Sequence, residues 1–515
     1  MLSTVFLLAT LAASAAADGY SCARNTLINP PQDLSKPYYY PETWRENMEP
    51  PQYAPNQKCN WKINVPQGMY ATVIFYKKTK YEIGIQCAYP GKDLEYINDY
   101  EQSPYIFTSP QFQVDLKVGD KPGAFSFKVV WSKYPPGSAM NIELDGIHSI
   151  SGVASSFYTT YTAINQVMIV GFSVPDVDTN LLRQSAIYDG DSVNAKFLGN
   201  LFDALEGQIV STGNKLTIYT FGLENQVDNT LFMGLDTKAA GDIEQYTGLN
   251  CPVDRTRGCS IILHSYFYAT AEARISRQPD YLMLPDSFPY NATLKIYGET
   301  LQDSSLFAAV NKSNYQTMFP MKVTNSLKIY HLDHDIVSID VTNNADEAKW
   351  STVYDGRNIK VQSMDYGRTS FYQDTMETFT TEPNTQMYFK FNVKYFDVNG
   401  PTSLAIKVYN NAKIVYSETY TATNLPTPYN VRVYGDKMDI NYQTFGNYTQ
   451  GFEVNIVTTK NDIPSNDPTN APSAISTVVG TFTKGTTLKY ESTTKAGIRQ
   501  FSVFSVLIFA LLFIL

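Results

Sequence analysis

Cys59-Asn60-Trp61-Lys62-Ile63-Asn64-Val65 places an apolar residue at every odd position and a polar one at every even position. A strand with one buried face requires this alternation, because successive side chains leave it on opposite sides. The pattern recurs in Phe112 to Val118 (FQVDLKV), Phe389 to Tyr395 (FKFNVKY) and Phe452 to Ile456 (FEVNI). Turn residues break the chain at short intervals, at Pro66-Gln67-Gly68, Pro90-Gly91, Pro122-Gly123, Asp145-Gly146 and Asn399-Gly400. Val167 to Val174 is the clearest continuous apolar run, and helical periodicity is nearly absent. Short alternating segments separated by turns predict an all-β chain of antiparallel sandwiches.

Composition bounds the rest. At roughly 150 residues per domain, 515 residues correspond to about three domains. Charged residues make up 17% of the chain and aromatics 14%, which excludes a disordered or coiled-coil protein. The net charge is −9, and the longest basic cluster is Lys77-Lys78-Thr79-Lys80, read as the solvated edge of a strand. Nucleic-acid binding needs clustered Lys and Arg, so that class is excluded.

Both termini read as addresses. Met1 to Ala17 (MLSTVFLLATLAASAAA) has the apolar core and small-residue end of a secretory signal peptide, although its first residues carry no Lys or Arg. The mature chain is expected to begin at Asp18. Phe501 to Leu515 is an uncharged stretch of 15 residues, shorter than a spanning helix and without flanking basic residues. With the small triplet Ser492-Thr493-Thr494 and a polar spacer before it, the tail reads as a GPI-attachment signal. Attachment is placed at Ser492, and 493–515 is expected to be removed. Gly485-Thr486-Thr487 is the alternative triplet, and a short C-terminal membrane anchor is the alternative reading. Residues 459–492, rich in Ser, Thr, Asn, Pro and Gly, are expected to form a disordered stalk.

The five cysteines are Cys22, Cys59, Cys87, Cys251 and Cys259. Cys251 and Cys259 bracket a loop (CPVDRTRGC) that a local disulfide would close in an oxidising compartment. Counting does not fix the pairing of the other three. Cys22–Cys59 is the preferred pair, leaving Cys87 buried and free, or used between chains. Zinc spacing is absent, since there is no CxxC. N-glycosylation sequons stand at Asn291, Asn311 and Asn447.

A weak internal repeat is also visible. Ile187-Tyr188-Asp189-Gly190 reappears as Val353-Tyr354-Asp355-Gly356, each followed by a polar turn and an alternating strand: STGNKLTIY from Ser211 and TEPNTQMYFKF from Thr381. A degenerate counterpart is Ile97-Asn98-Asp99 followed by SPQFQVDLKV. One repeated β-unit accounts for this most simply. The expected division is 18–135, 136–275 and 276–458.

The first segment then resembles a known family. Cys22, the approach INPPQDLSKPYYYPETW, Cys59-Asn60-Trp61-Lys62-Ile63, Pro66-Gln67-Gly68 and the strand Ala71 to Tyr76 are similar to a CUB domain, and more closely to the CUB-like domain of secreted nematode proteins. The resemblance covers 20–135 well, 136–275 partly and the remainder poorly. It implies jelly-roll-like sandwiches and an interaction role rather than an enzyme, at cell surfaces including raft membrane, in innate defence against bacteria or in stress responses. Some CUB domains bind calcium through a Glu and two Asp on loops, which suits a hard cation. The corresponding residues are Glu82, Asp93 and Asp120. Where a second CUB disulfide would stand, only Cys87 is present.

Other chemistry is sparse. His331 and His334 in HLDHD would point to opposite faces of a strand and chelate together only if a turn intervened, so a polar turn is expected. No GxSxG, HExxH or P-loop is present, and Gly190-Asp191-Ser192-Val193-Asn194 fails the nucleophile-elbow pattern at its last position. The leading expectation is a GPI-anchored extracellular binding protein with a protein or glycan ligand, tied to the membrane by its lipid. Two alternatives remain: a secreted hydrolase with its site in 276–458, and a structural matrix component. Many of the 38 tyrosines must pack across sheets, exposed ones could stack on sugars or anchor a partner, and the sequence does not separate the two groups.

Overall fold

The computed structural model describes residues 19–461, apart from 79–82, 89–94, 98–103, 154–157, 174–178, 224–229, 250–258, 372, 398 and 428–429. The described chain is an all-β protein of eight sheets, which pack face to face as four sandwiches.

The first sandwich is built from β1 (Thr26–Ile28), β2 (Tyr38–Tyr40), β3 (Gln52–Tyr53), β4 (Lys58–Asn64), β5 (Met69–Lys78), β6 (Ile83–Ala88), β7 (Glu95–Tyr96), β8 (Tyr105–Thr108), β9 (Gln111–Val118) and β10 (Gly123–Lys133). Its sheets run β1-β4-β9-β6-β7 and β2-β10-β5-β8, with β3 also on β10. The second comprises β11 (Met140–Glu143), β12 (Ile150–Val153), β13 (Thr159–Thr162), β14 (Val167–Gly171), β15 (Ala186–Asp189), β16 (Lys196–Gly199), β17 (Ile209–Val210), β18 (Lys215–Tyr219) and β19 (Thr230–Asp236). These order as β11-β13-β18-β15-β16 and β12-β19-β14-β17.

The third contains β20 (Gln245–Gly248), β21 (Cys259–Ser265), β22 (Thr270–Ile275), β23 (Asp280–Leu282), β24 (Leu294–Gly298), β25 (Leu306–Val310), β26 (Met321–Val323), β27 (Leu327–Leu332) and β28 (Asp335–Thr342). The fourth contains β29 (Thr352–Val353), β30 (Asn358–Gln362), β31 (Thr375–Thr381), β32 (Met387–Phe396), β33 (Ser403–Asn410), β34 (Lys413–Tyr420), β35 (Val431–Gly435), β36 (Lys437–Gln443) and β37 (Phe452–Thr459). Their sheets run β20-β22-β27-β24-β25 with β21-β28-β23-β26, and β29-β31-β36-β33-β34 with β30-β37-β32-β35. All four units share one strand order. In each, the first strand lies parallel to its neighbour, as β1 on β4, β11 on β13, β20 on β22 and β29 on β31.

The sheets therefore do not divide into three. The boundary expected at 275 falls at the last residue of β22, inside a sheet, and 276–458 holds strands of two sandwiches. Pro135-Pro136-Gly137 lies between the first two units, but only 237–244 separates β19 from β20, and 343–351 separates β28 from β29. Such short, compact connections carry no linker composition. The repeat itself exists in another register. Ile187-Tyr188-Asp189-Gly190 belongs to β15, the fifth strand of its unit, whereas Val353 ends β29, the first strand of the fourth. The equivalent central strands are β9, β18, β27 and β36.

In the first unit the alternating stretch forms β4, paired with β9 from Lys58↔Lys117 to Asn64↔Gln111. Trp61 is fully buried, its ring 4.7 Å from Tyr40 and 5.5 Å from Phe127. Cys22 and Cys59 form a disulfide with Cα atoms 6.0 Å apart, tying the entering chain to β4. Cys259 is disulfide-bonded, and its expected partner Cys251 lies outside the described residues, as does the side chain of Cys87. So do the leader 1–17, the tail 493–515, Ser492 and nearly all of the stalk.

Neighbouring units are packed closely. Between the second and third, Met168, Val170, Met233 and Leu235 meet Ala271, Ala273, Leu327 and Ile329, all buried. Burial of a side chain such as Leu or Ile contributes about 1.5–3 kcal/mol, which makes this junction a core in its own right. A Cβ on Gly248 would lie 2.0 Å from the carbonyl oxygen of Gly171, so the close approach requires glycine. Between the first and second units, Tyr70, Tyr134, Tyr158, Tyr188, Tyr219 and Phe221 form a continuous aromatic contact. There the buried Arg183 pairs with Glu95, and its guanidinium lies 4.6 Å from the Tyr105 ring and 4.3 Å from the Phe202 ring.

The interior of the third unit holds charge. Arg274 lies 3.1 Å from Asp280, whose other carboxylate oxygen accepts from the Tyr330 hydroxyl at 3.1 Å. The fully buried Lys328 donates to the Ser276 and Gln278 carbonyls at 3.1 and 3.0 Å. Burial pushes the Lys328 ammonium down, opposed mainly by Asp280. Glu272 has a carboxylate oxygen without a hydrogen-bond partner, and burial pushes its pKa from 4.5 up to about 7, offset in part by the Ile262 amide.

Two outcomes follow. Arg183→Ala leaves Glu95 without its buried cation and unstacks two rings, which should cost about 1–3 kcal/mol. Protease cleavage should rise between 133 and 140, and Arg183→Lys should not restore resistance, because a point charge does not stack as guanidinium does. For Glu272, the folded carboxyl keeps its proton up to about pH 7, while the unfolded one releases it near 4.5. The native state thus binds more protons in that window, and stability falls as pH rises through it. Glu272→Gln should remove that slope, stabilising the third unit by up to about 3 kcal/mol at pH 8 and little at pH 4.5. Urea midpoints of both forms at the two pH values decide it: equal gains at both would discount the buried carboxyl.

Candidate binding surface at the tip of the third sandwich

At one end of the third unit four connections converge. Ser265 pairs with Asp335, Thr270 with Leu332, and Leu294 with both Leu332 and Val310. The β21–β22 loop, the approach to β24, the chain leaving β25 and the Asp333-His334 turn are thereby brought together.

The β21–β22 loop is Tyr266-Phe267-Tyr268-Ala269. Phe267 is 94% exposed and Tyr266 65%, against the burial expected of aromatic residues beside strands. The loop is pinned from below. Ser265 Oγ lies 2.5 Å from the Tyr268 carbonyl and 2.9 Å from that of Asp333, while Asp333 Oδ1 accepts from the Thr293 amide at 2.7 Å. Tyr290 is 85% exposed, and Lys312 Nζ sits 5.2 Å from the centroids of both Tyr290 and Tyr315. Exposed rings on loops anchored by hydrogen bonds present apolar area at low entropic cost, as aromatic binding anchors do.

The sequence indicated this tip only in part. Three consecutive aromatics cannot all share the one buried face of a strand, and that departure from period two in HSYFYAT was the available signal. Asn291 is exposed on the tip, and Asn311 is half-buried beside it with its carbonyl oxygen accepting from the Ser313 amide and hydroxyl at 2.9 and 2.6 Å. Asn447 lies in the β36–β37 loop of the fourth unit.

Of the expected calcium set, only Asp120 lies among the described residues. Glu82 and Asp93 lie outside them, and Asp120 is exposed just beyond Val118. Among the described residues, no group of three or more His, Cys, Asp or Glu is placed to hold a metal ion. A turn does intervene in HLDHD: His331 is on β27, facing the second unit, and His334 is exposed in the turn that follows. Burial pushes His331 down. Glu377 of the fourth unit is structural, holding Lys322 of the third unit and accepting from Trp350 Nε1 at 2.7 Å.

No helix of the described residues is long and apolar enough to cross a membrane. No curated protein sequence matches the chain. Among solved structures it is similar to the CUB1-EGF-CUB2 domain of human MASP-1/3, at 10% identity over 39% of this chain and 99% of that one, with a TM-score of 0.16. The rat MASP-1 CUB1-EGF-CUB2 domains match at 9% identity over 84% and 99%, also at 0.16. The extracellular region of zebrafish Gpr126/Adgrg6 matches at 10% identity over 85% of this chain and 57% of that one, at 0.17. Nothing about partners follows from these likenesses. Family models match two segments: residues 145–221 match a domain of unknown function (DUF7592), and residues 17–135, the first sandwich, match the CUB-like domain.

Proposed function

We propose that this chain is an extracellular, non-catalytic binding protein whose third sandwich engages a protein or glycan partner through Tyr266, Phe267 and Tyr290. The pinned, solvent-facing aromatic loop is the observation that carries the reading. Exposed aromatic rings grouped on one anchored loop are suited to act as contact anchors. The CUB-like first domain supports an interaction role outside the cell. The lipid anchor at Ser492 and a part in innate defence against bacteria or in stress responses, at raft membrane, belong to the same proposal; the tail sequence supports the first and the family resemblance the second.

Two measurements test it. Tyr266→Ser with Phe267→Ser removes side chains already in solvent, so the unfolding midpoint should shift by less than about 0.5 kcal/mol. Capture on arrays of bacterial glycans and host ectodomains should nonetheless weaken about thirtyfold or more, as loss of a hot spot does. Undiminished capture would remove the tip from the function. Separately, phosphatidylinositol-specific phospholipase should release the mature protein from intact cells; retention on the cells would remove the anchor.

A further inference from the structure

The β36–β37 loop contains a sequon in an unusual setting. Thr444-Phe445-Gly446-Asn447 closes with the Asn447 amide donating to the Thr444 carbonyl at 3.1 Å. Both central residues have positive φ, 52° at Phe445 and 77° at Gly446, the signature of a type I′ turn. Such positions favour Gly, Asn and Asp, and a bulky side chain there is strained. Phe445 nevertheless occupies the first one, with 60% of its surface exposed. The turn is firmly seated: Thr444 accepts a second bond from Asn447 Nδ2 at 2.9 Å and donates its amide to Asp374 at 2.7 Å. Thr449 is buried, its hydroxyl 3.2 Å from Gln373 Oε1 and 3.0 Å from the Tyr442 hydroxyl. The hydrogen bonds of this framework do not involve the ring of Phe445, yet they hold the residue in an unfavourable conformation two residues before the sequon asparagine.

We propose that Phe445 is the docking face for the first N-acetylglucosamine of a glycan on Asn447. The C–H face of a pyranose is apolar, and stacking it on an exposed ring removes both from water. A spacing of two residues across a tight turn places the ring and the glycan attachment point on one short hairpin. The other sequons lack this arrangement, with Pro289 two residues before Asn291 and Ala309 two before Asn311. The sugar then offsets the strain at Phe445. The inference rests on reading Asn447 as an occupied sequon.

The test uses the full chain expressed in cells with N-glycosylation, as four forms: wild type, Phe445→Asn, Asn447→Gln and the double variant. Mass spectrometry of the 437–460 peptides should find Asn447 occupied in the first two. Hydrogen-exchange protection of the β36–β37 hairpin should fall on Asn447→Gln about fivefold more when Phe445 is retained than when Phe445→Asn is already present. Since the Asn447 side-chain bond is lost in both backgrounds, the difference isolates the sugar–ring contact. In the absence of glycan, Phe445→Asn should raise protection by relieving the turn. An unmodified Asn447 overturns the sequon reading and the inference together. An occupied Asn447 with equal losses in both backgrounds overturns the role of Phe445 alone.

Discussion

The sheet carrying β27 is covered on both faces, by its partner sheet within the third sandwich and by the second sandwich outside. Leu327 to Leu332 is consequently buried at every position, although Lys328 and His331 lie within it. Each buried polar group then needs an internal answer. On the inner face, Lys328 finds two carbonyls and Asp280. On the outer face, small residues answer the packing demand, Ala271 and Ala273 on one side and the Gly248–Gly171 contact beside them. β14 faces the same junction, and its run Val167–Gly171 is likewise buried throughout.

This double coverage explains what could be read from the chain. Where one face meets solvent, as in β4, β9 and β37, alternation survives and the strands were legible to within three residues at either end. Where both faces are covered, hydrophobic periodicity weakens, and the third unit lost its identity as a separate sandwich. The run from Val167 was the visible trace of a strand covered twice. The Tyr-Asp-Gly repeat misled because one turn-like tripeptide serves β15 and the end of β29, which hold different places in the same strand order. A tripeptide at a strand end answers to the local turn; strand order answers to long-range pairing that no short motif encodes.

The tyrosines divide along the same line. Tyr134, Tyr188 and Tyr219 lie in the junction of the first two units, where their rings contact one another and Tyr134 and Tyr188 share a hydroxyl hydrogen bond. Tyr246 and Tyr330 are fully buried, and burial alone pushes the former's pKa well up, with no charged neighbour contributing. Tyr266 and Tyr290, by contrast, sit on loops beyond the last cross-strand pair. Composition cannot make this division, since the same residue type satisfies a packed junction and a solvent-facing tip.

Covering sheet faces also limits where a partner can bind. A face packed against the next sandwich is closed to ligands, and the strands between units two and three and between three and four are committed to contacts such as Tyr281 with Trp350, and Thr324 with the Ser363 carbonyl at 2.7 Å. What remains open is the loop-bearing ends, where length and composition vary without disturbing the sheets. Equivalent connections show that freedom: four residues join β21 to β22, whereas 363–374 joins β30 to β31. The first devotes its four residues largely to aromatic rings, and the second is anchored by buried Gln373, bonded to Ser363 and Thr449 beneath the sequon turn. A chain that repeats one rigid sandwich four times can therefore differentiate its units only at these ends, and there the strand order places the exposed aromatics of the third and fourth.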